Sequence, residues 1–393
     1  MRRIFILGAS GSIGEKALHC IEHLNALYKK QGCENKCFSI VGLSVKKNHQ
    51  AILKAADRFS PASLVVLDDD ANKIVKDQLK KEKSDRSVKI FSDLASALEQ
   101  TPYDILLNAV SGGSGLLSTA MAARDGKKIL LANKESLVMG GELLCKMMKK
   151  SGATIIPIDS EHSALLHLMK GRKKEEVKKL ILTASGGPFW ENSIKNPTIK
   201  EVLSHPNWSM GKKITVDSAT MINKGLEVIE AHHLFDFDYD DIEIIVHPQS
   251  ILHSLIETID GERYAQLGAP EMGYAIQNAL THPEIFQTPY PKLGLEKFSG
   301  LTFFPMDFKR FPLAKMAYWC GKKGSTWPTV LNVANEQAVY LFLDGAIDFE
   351  KIPHVVEQTL EKHSDFPADH IDQLIELDKN ISNQIRLKYG AKN

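Results

Sequence analysis

No apolar run in this chain approaches the length that a bilayer span requires, so no membrane partner is expected. Arg2-Arg3 before Ile4-Phe5-Ile6-Leu7 has the flavour of a signal peptide. The run stops at Gly8, however, too short for its apolar region. Cysteine is scarce: five residues, Cys20, Cys33, Cys37, Cys145 and Cys320. An odd, scattered set cannot form a complete disulfide framework, and Cys33-x-x-x-Cys37 lacks a second pair to close a zinc site. A reducing compartment, the cytoplasm, is the expectation. Net charge is only +1, which offers no electrostatic reason to bind nucleic acid. G-x-S-x-G and G-x-x-x-x-G-K-[ST] are both missing, so the sequence supports no hydrolase of those kinds.

What remains is ordinary globular material, 43% hydrophobic and 25% charged. At 393 residues it is too long for one core and implies two or three domains. Arg3 to Leu7 reads as a buried strand, followed by Gly8-Ala9-Ser10-Gly11-Ser12-Ile13-Gly14 and a helical pattern through Leu18, Ile21, Leu24 and Leu27. A strand, a glycine turn and a helix N-terminus form the context in which backbone N–H groups meet a pyrophosphate. The bland alternative is a tight structural turn. The next strand, Phe38 to Leu43, runs into Ser44-Val45-Lys46-Lys47-Asn48. A site for NAD wants an acid there; two ammonium groups suit a 2′-phosphate, or else make a solvated turn.

Further strands are predicted at Ala62–Val66, Val88–Phe91, Ile105–Val110 and Lys128–Ala132, with helices between them. Alternating β/α order predicts a parallel, doubly wound sheet with ligands outside the carboxyl ends of its strands. Ser111 to Gly115 and Asn133-Lys134-Glu135-Ser136 fall at such ends. Lys134 and Glu135 are therefore candidates for chemistry, while Asn133 reads equally well as a helix cap.

Asp159 and Glu161 follow the apolar run Thr154 to Ile158. In an extended segment, residues two apart share a side, which would aim both carboxylates into one space. An all-oxygen site suits Mg²⁺ or Mn²⁺ better than Zn²⁺. The strand Lys179–Thr183 enters Ala184-Ser185-Gly186-Gly187-Pro188-Phe189, small residues suited to an anion. Residues 186–212 show little periodicity but carry His205-Pro206-Asn207-Trp208-Ser209-Met210-Gly211, the mark of a lid rather than a passive connector. In Val216 to Glu227, a helix would align Asn223 with Glu227 and put Thr220 one turn back. Ser218, Asn223 and Lys224 offer a hydroxyl, an amide and an ammonium for a phosphate. Glu227 adds a third carboxylate.

These motifs, in this order and over essentially the whole chain, resemble the 1-deoxy-D-xylulose 5-phosphate reductoisomerase family. The resemblance implies an α/β protein with a Rossmann-like parallel-sheet domain at 1–150. A central α+β catalytic domain at 151–282, with a lid at 186–212, a linker at 283–311 and a helical bundle at 312–393 would follow. It implies NADPH- and metal-dependent rearrangement and reduction of a sugar phosphate to 2-C-methyl-D-erythritol 4-phosphate, with Co²⁺ admissible beside Mg²⁺ or Mn²⁺.

By the same resemblance, Ser10, Gly11, Ser12 and Ile13 hold the pyrophosphate. Lys46, Lys47 and Asn48 face the 2′-phosphate; Asn133, Glu135 and Gly211 lie nearer the nicotinamide. Asp159, Glu161 and Glu227 bind the metal. Ser185, Ser218, Asn223 and Lys224 take the phosphate with His205 close, and Ser160, Glu161 and Lys134 face the substrate's hydroxyl and keto oxygens. Trp208 and Met210 ride on the lid and Met272 lines the pocket. Lys134, Glu161 and His205 are the catalytic candidates. Two departures are visible: Ala9-Ser10 where the family often has Ser-Thr, and Lys46 where glycine is common.

Val246 to Leu255 and Tyr264 to Leu267 read as strands. His247 and His253 on them suit packing better than metal ligation, and the resemblance implies a homodimer paired across this sheet. Thr326-Trp327-Pro328 opens one helix, Asp348 caps another, and Ile371, Leu374, Ile375, Ile381 and Ile385 form the stripe of a third. A plain NADP-dependent dehydrogenase or semialdehyde reductase, needing no metal, is the competing enzyme. A nucleotide sensor without turnover is the competing non-enzyme.

Overall fold

The computed structural model describes residues 1–81, 88–191, 194–208 and 210–390, and the chain divides into two compact units. Residues 1–133, 144–159 and 272–290 form the first; residues 134–143, 160–271 and 291–393 belong to the second.

The first unit contains the strands β1 (Arg2–Leu7), β2 (Phe38–Val45), β3 (Ser63–Val66), β4 (Lys89–Phe91), β5 (Ile105–Asn108), β6 (Lys128–Leu131) and β7 (Thr154–Pro157). Between them run α1 (Ser12–Lys30), α2 (His49–Phe59), α3 (Asp69–Lys81), α4 (Leu94–Gln100) and α5 (Leu116–Arg124); α6 (Lys134–Ser151) begins in the second unit and ends in the first. The sheet order is β4-β3-β2-β1-β5-β6-β7, and every pair is parallel. Every residue of β3 and of β5 is buried, as a sheet covered on both faces requires. The order reverses beside β1, where a doubly wound sheet opens its ligand crevice. The predicted strands therefore all exist. Ile105–Val110 and Lys128–Ala132 are shorter than expected, because the chain turns off toward α5 and α6.

The second unit contains α7 (Ser160–Met169), β8 (Val177–Ala184), α8 (Ile199–Val202), α9 (Lys212–Ala219), α10 (Ile222–Phe235), β9 (Ile242–Val246), β10 (Leu252–Thr258) and β11 (Arg263–Leu267). The helix α11 (Met272–Thr281) returns to the first unit. The second then closes with β12 (Phe304–Pro305), α12 (Pro312–Lys323), α13 (Trp327–Leu343), α14 (Lys351–Glu361) and α15 (Ile371–Tyr389). Its sheet runs β11-β10-β8-β9-β12, with β8 and β9 parallel and the other pairs antiparallel. Of the stripe expected on α15, Leu374, Ile381 and Ile385 are buried and Ile371 and Ile375 half-buried; Asp348 does not cap α14, whose N-cap is Glu350 with no side-chain cap bond. Among the described residues no helix is long and apolar enough to cross a membrane.

Three local expectations are corrected. Val246 to Leu255 is not one strand; β9 ends at Val246 and β10 begins at Leu252, with Ser250 at φ 53° in the turn between. Residues 216–227 are not one helix. Met221, at φ 60°, breaks the chain between α9 and α10, and Thr220 bonds back to Val216 and Asp217 instead of lining the Asn223–Glu227 face. Glu161 lies inside α7, so the extended-strand argument for pairing it with Asp159 fails.

Candidate active site

In the first unit the glycine turn is shaped by close approaches. A Cβ on Gly8, at φ +78°, would stand 2.6 Å from the Ala109 oxygen, and one on Gly14 would stand 2.3 Å from the Gly8 oxygen. The turn is held to β2, since Gly8 N–H donates to Ser44 Oγ at 3.0 Å and Ala9 N–H to Ser44 O at 2.8 Å. Gly11 is the N-cap of α1 and offers no side-chain cap, which leaves the first-turn N–H groups of Ser12 and Ile13 for a ligand. Lys46, Lys47 and Asn48 follow β2 and are exposed; Asn48 also caps α2 by accepting from Ala51 N–H at 3.1 Å. The Asn133 amide donates to Val110 O and Gly112 O, both at 2.8 Å, and so ties together the loops that leave β5 and β6. Met272 begins α11 in this unit.

In the second unit Glu227, Lys134 and Lys224 form the buried part of a charged cluster. Glu227 on α10 is 1% exposed. Lys134 Nζ, from the first residue of α6, is 3.0 Å from its Oε1. Lys224 Nζ contacts Glu227 Oε2 and lies 3.3 Å from Glu161 Oε1, and the Asn223 amide donates to Glu227 Oε1. Ser160 Oγ donates to Glu161 Oε2 at 2.6 Å, while Ser254 Oγ donates to the Glu161 carbonyl at 3.0 Å. Asp159 immediately precedes α7, so a single intervening residue sets its reach toward Glu161. One carboxylate oxygen from each of Asp159, Glu161 and Glu227 lies within 4.8 Å of the others.

These donors fit a hard divalent ion: all are carboxylates, no thiolate intrudes, and the spacing allows a common centre. Behind them, His162 is fully buried. Its Nε2 lies 2.9 Å from Glu227 O and its Nδ1 3.2 Å from Glu230.

The residues expected to take an anion sit close by in the sequence of elements. Ser185 directly follows β8, and the chain turns at Gly186 and Gly187, both at positive φ. A Cβ on Gly187 would stand 2.6 Å from Ser218 O, so the turn rests directly on α9. His205 Nδ1 accepts from the N–H groups of Asn207 (3.2 Å) and Trp208 (3.0 Å). Its proton is therefore on Nε2, which donates to Ser185 Oγ at 3.0 Å. Gly187 N–H donates to the same oxygen at 3.2 Å, which leaves the Ser185 O–H to point at an acceptor such as a phosphate oxygen. Burial pushes the His205 pKa below its ordinary value, in keeping with a neutral ring.

Of the segment 186–212, residues 192, 193 and Ser209 lie outside the described ones, and α8 within it was not expected; Thr198 and Glu201 close it with a capping box. Asn207 anchors it by donating to Pro248 O at 2.6 Å and Ser250 Oγ at 3.0 Å, and Trp208 sits 6.3 Å from the His253 ring. Met210 lies two positions after Trp208, and Gly211 is the N-cap of α9. His247 Nδ1 donates to Thr302 O at 3.0 Å and its ring stacks on Phe303 with centroids 4.9 Å apart, a packing role. Sequence reasoning missed Lys213, 2.7 Å from Glu135 Oε1; no local signal announces it.

Comparison with known proteins agrees along the whole chain. A family model for 1-deoxy-D-xylulose 5-phosphate reductoisomerase matches residues 4–141, and models of that enzyme's C-terminal domains match residues 155–235 and 267–384. The reductoisomerase of Listeria monocytogenes serotype 4b is 42% identical over 387 residues, 96% of this chain and 97% of that one. That of Chloroherpeton thalassium is 42% identical over 397 residues, 100% of this chain and 99% of its own. A crystal structure of DOX-P reductoisomerase in complex with NADPH, fosmidomycin and magnesium superposes with a TM-score of 0.90 at 35% identity, covering 99% of this chain and 98% of that one. The Zymomonas mobilis enzyme in complex with NADPH gives 0.87 at 34% identity, with both chains fully covered. This chain belongs to the 1-deoxy-D-xylulose 5-phosphate reductoisomerase family and is an NADP-dependent oxidoreductase.

Proposed function

We propose the following division of labour for the family's reaction, the NADPH- and metal-dependent conversion of 1-deoxy-D-xylulose 5-phosphate to 2-C-methyl-D-erythritol 4-phosphate. The carrying observation is the cluster of half-buried Asp159 and Glu161 with buried Glu227, set against the buried Lys134 and Lys224. Three carboxylates against two ammonium groups leave one negative charge, so the cluster accepts a divalent ion without a large charge surplus. A Mg²⁺ or Mn²⁺ held by the three acids supplies Lewis acidity toward neighbouring substrate oxygens. With the three acids given to an ion, Lys134 and Lys224 would be the cations left for the substrate. Lys134 then faces the substrate's oxygens with Ser160, and Lys224 joins Asn223, Ser218 and Ser185 on the phosphate. His205 holds Ser185 as a hydrogen-bond donor to that phosphate. Trp208 and Met210 cover the substrate and exclude water, and Met272 packs against it. Phosphate binding, remote from the reacting carbons, helps drive the 186–212 segment closed.

For the cofactor, Ser10, Gly11, Ser12 and Ile13 take the pyrophosphate at the head of α1. Lys46, Lys47 and Asn48 take the 2′-phosphate, while Asn133, Glu135 and Gly211 lie toward the nicotinamide. Residues 1–150 thus serve NADPH, 151–282 the metal and substrate, and 312–393 brace the catalytic part, with 283–311 as linker. The enzyme acts in the cytoplasm, in keeping with five free cysteines. It acts as a homodimer: β11 is an outer strand with Tyr264 and Leu267 both 37% exposed, a face suited to a second copy. An NADPH-oxidation assay with deoxyxylulose phosphate, run with and without added Mg²⁺ or Mn²⁺, tests the reading. Turnover that survives complete chelation would sink it.

A further inference from the structure

Lys213 is a cation in the wrong place by helix electrostatics. It is the second residue of α9, where the helix dipole favours anions, and that first turn contains no acid. It is also almost out of water, its side chain only 10% exposed. Its partners explain both. Nζ lies 2.7 Å from Glu135 Oε1 on α6 and 2.8 Å from Asp217 Oδ2 one turn along α9. Asn335 Nδ2, on α13, donates to the other Asp217 oxygen at 2.8 Å. Glu336 adds a further negative charge felt by the ammonium. Burial alone would lower the Lys213 pKa; Asp217, Glu135 and Glu336 more than reverse this and raise it. Burial likewise pushes Glu135 up, and Lys213 outweighs it, so the Glu135 carboxyl stays below its ordinary value. Both partners are thus held charged.

The clamp joins two helix N-termini. Glu135 is in the first turn of α6, one residue after Lys134, which meets Glu227. Gly211 is the N-cap of α9, and Thr215 bonds back to its carbonyl through N–H at 3.1 Å and Oγ1 at 2.9 Å. Lys213 stands between, at the exit of the 186–212 segment, and α13 backs it through Asn335.

We propose that Lys213 is a positioning residue for hydride transfer. By holding Glu135 and the Gly211 end of α9 in one register, it fixes the surface offered to the nicotinamide. The inference rests on the assignment of Glu135 and Gly211 to the nicotinamide side.

The test uses Lys213→Met, Lys213→Arg, Glu135→Gln and the double variant Lys213→Met/Glu135→Gln in the full chain. The measurements are thermal melting, NADPH affinity by fluorescence titration, kcat and KM for NADPH, the Mn²⁺ activation constant, and the isotope effect with NADPH deuterated at the transferred position. Lys213→Met is expected to lower kcat and raise KM for NADPH, each by about tenfold or more, with an enlarged isotope effect. The Mn²⁺ constant should stay put, and Lys213→Arg should recover most of kcat.

If Lys213→Met does not fold, the double variant, which removes both charges together, carries the comparison. A restored melt with the kinetic loss retained supports positioning. Wild-type kinetics and isotope effect in either variant overturn it, whatever happens to the melt. Glu135→Gln separates the two layers of the argument. If it leaves NADPH binding and the isotope effect untouched, the nicotinamide-side assignment fails; if it disturbs them while Lys213→Met does not, only the clamp fails.

Discussion

The ammonium of Lys134 sits 3.0 Å from Glu227 Oε1, in a place where neither side chain is more than 7% exposed. The first residue of α6 is thereby tied to the second turn of α10, next to the other two carboxylates of the cluster. Replacing Glu227 by Gln keeps the shape but leaves two buried ammonium groups facing a neutral amide. Turnover should fall by about a hundredfold or more, the scale on which removing a transition-state charge contact is felt. NADPH binding, assigned to other residues, should persist. Fluorescence titration of NADPH beside steady-state kinetics measures both, and near-normal turnover would count against the metal assignment.

Ser185 and His205 offer a second check. The Ser185 hydroxyl already accepts from His205 Nε2 and Gly187 N–H, so its own proton is free to donate. Ser185→Ala removes one hydrogen bond to a charged group, worth about 1.5–3 kcal/mol, and should raise substrate KM by roughly ten- to a hundredfold. His205→Asn should mimic part of that loss by misaiming the hydroxyl. The binding of NADPH alone should not change in either variant. An unchanged KM in Ser185→Ala would remove Ser185 from the phosphate.

Much of this site could be read from residues close together in the chain. The Gly8 to Gly14 turn, Asn133 to Glu135 and Asn223 to Glu227 each work through neighbours within a few positions, so their types and spacing carried the message. The geometry around Glu161 did not come through. A strand reading and a helix reading both bring it near Asp159, and only the fold shows that it lies in the first turn of α7. Lys213 stayed invisible because its partner Glu135 is 78 residues away, and its local partner Asp217, four positions on, reads as an ordinary helix-surface pair. The same holds for Asn335 and Asp217, 118 residues apart. The break at Met221 was hidden for a different reason: a non-glycine residue at positive φ leaves no mark in composition.

Gly187 makes a stability prediction with an internal control. Its φ is +69°, and a Cβ would meet the Ser218 carbonyl oxygen at 2.6 Å, backbone that cannot swing aside. Gly187→Ala should therefore cost more than about 1 kcal/mol and shift the Ser185 hydroxyl. Gly300 has open space around its missing Cβ and no positive φ, so Gly300→Ala should leave the melt essentially unchanged. Thermal melts of the two variants side by side decide it; equal melts would mean that the 186–187 turn yields more easily than its contacts imply.

The acid limb of stability should carry the mark of His233. Its ring packs against Gly141, where a Cβ would come within 2.2 Å of it, and it lies 4.9 Å from the His232 ring. Burial first, and the neighbouring His232 second, push its pKa from the ordinary 6.5 down to about 4. The unfolded chain thus binds a proton that the folded chain refuses throughout the interval between those two values. Stability contributed by the neutral ring is complete above the unfolded pKa and drains away as pH falls toward the folded one. Each unit of that shift corresponds to about 1.4 kcal/mol, so the loss across the window is on the order of 3 kcal/mol. Denaturant melts taken from neutral pH down to the lower limit should show this slope. In His233→Gln, which cannot be protonated, the curve over the same window should flatten even though the midpoint at neutral pH drops. A variant curve parallel to the wild type would mean that some other group governs acid unfolding.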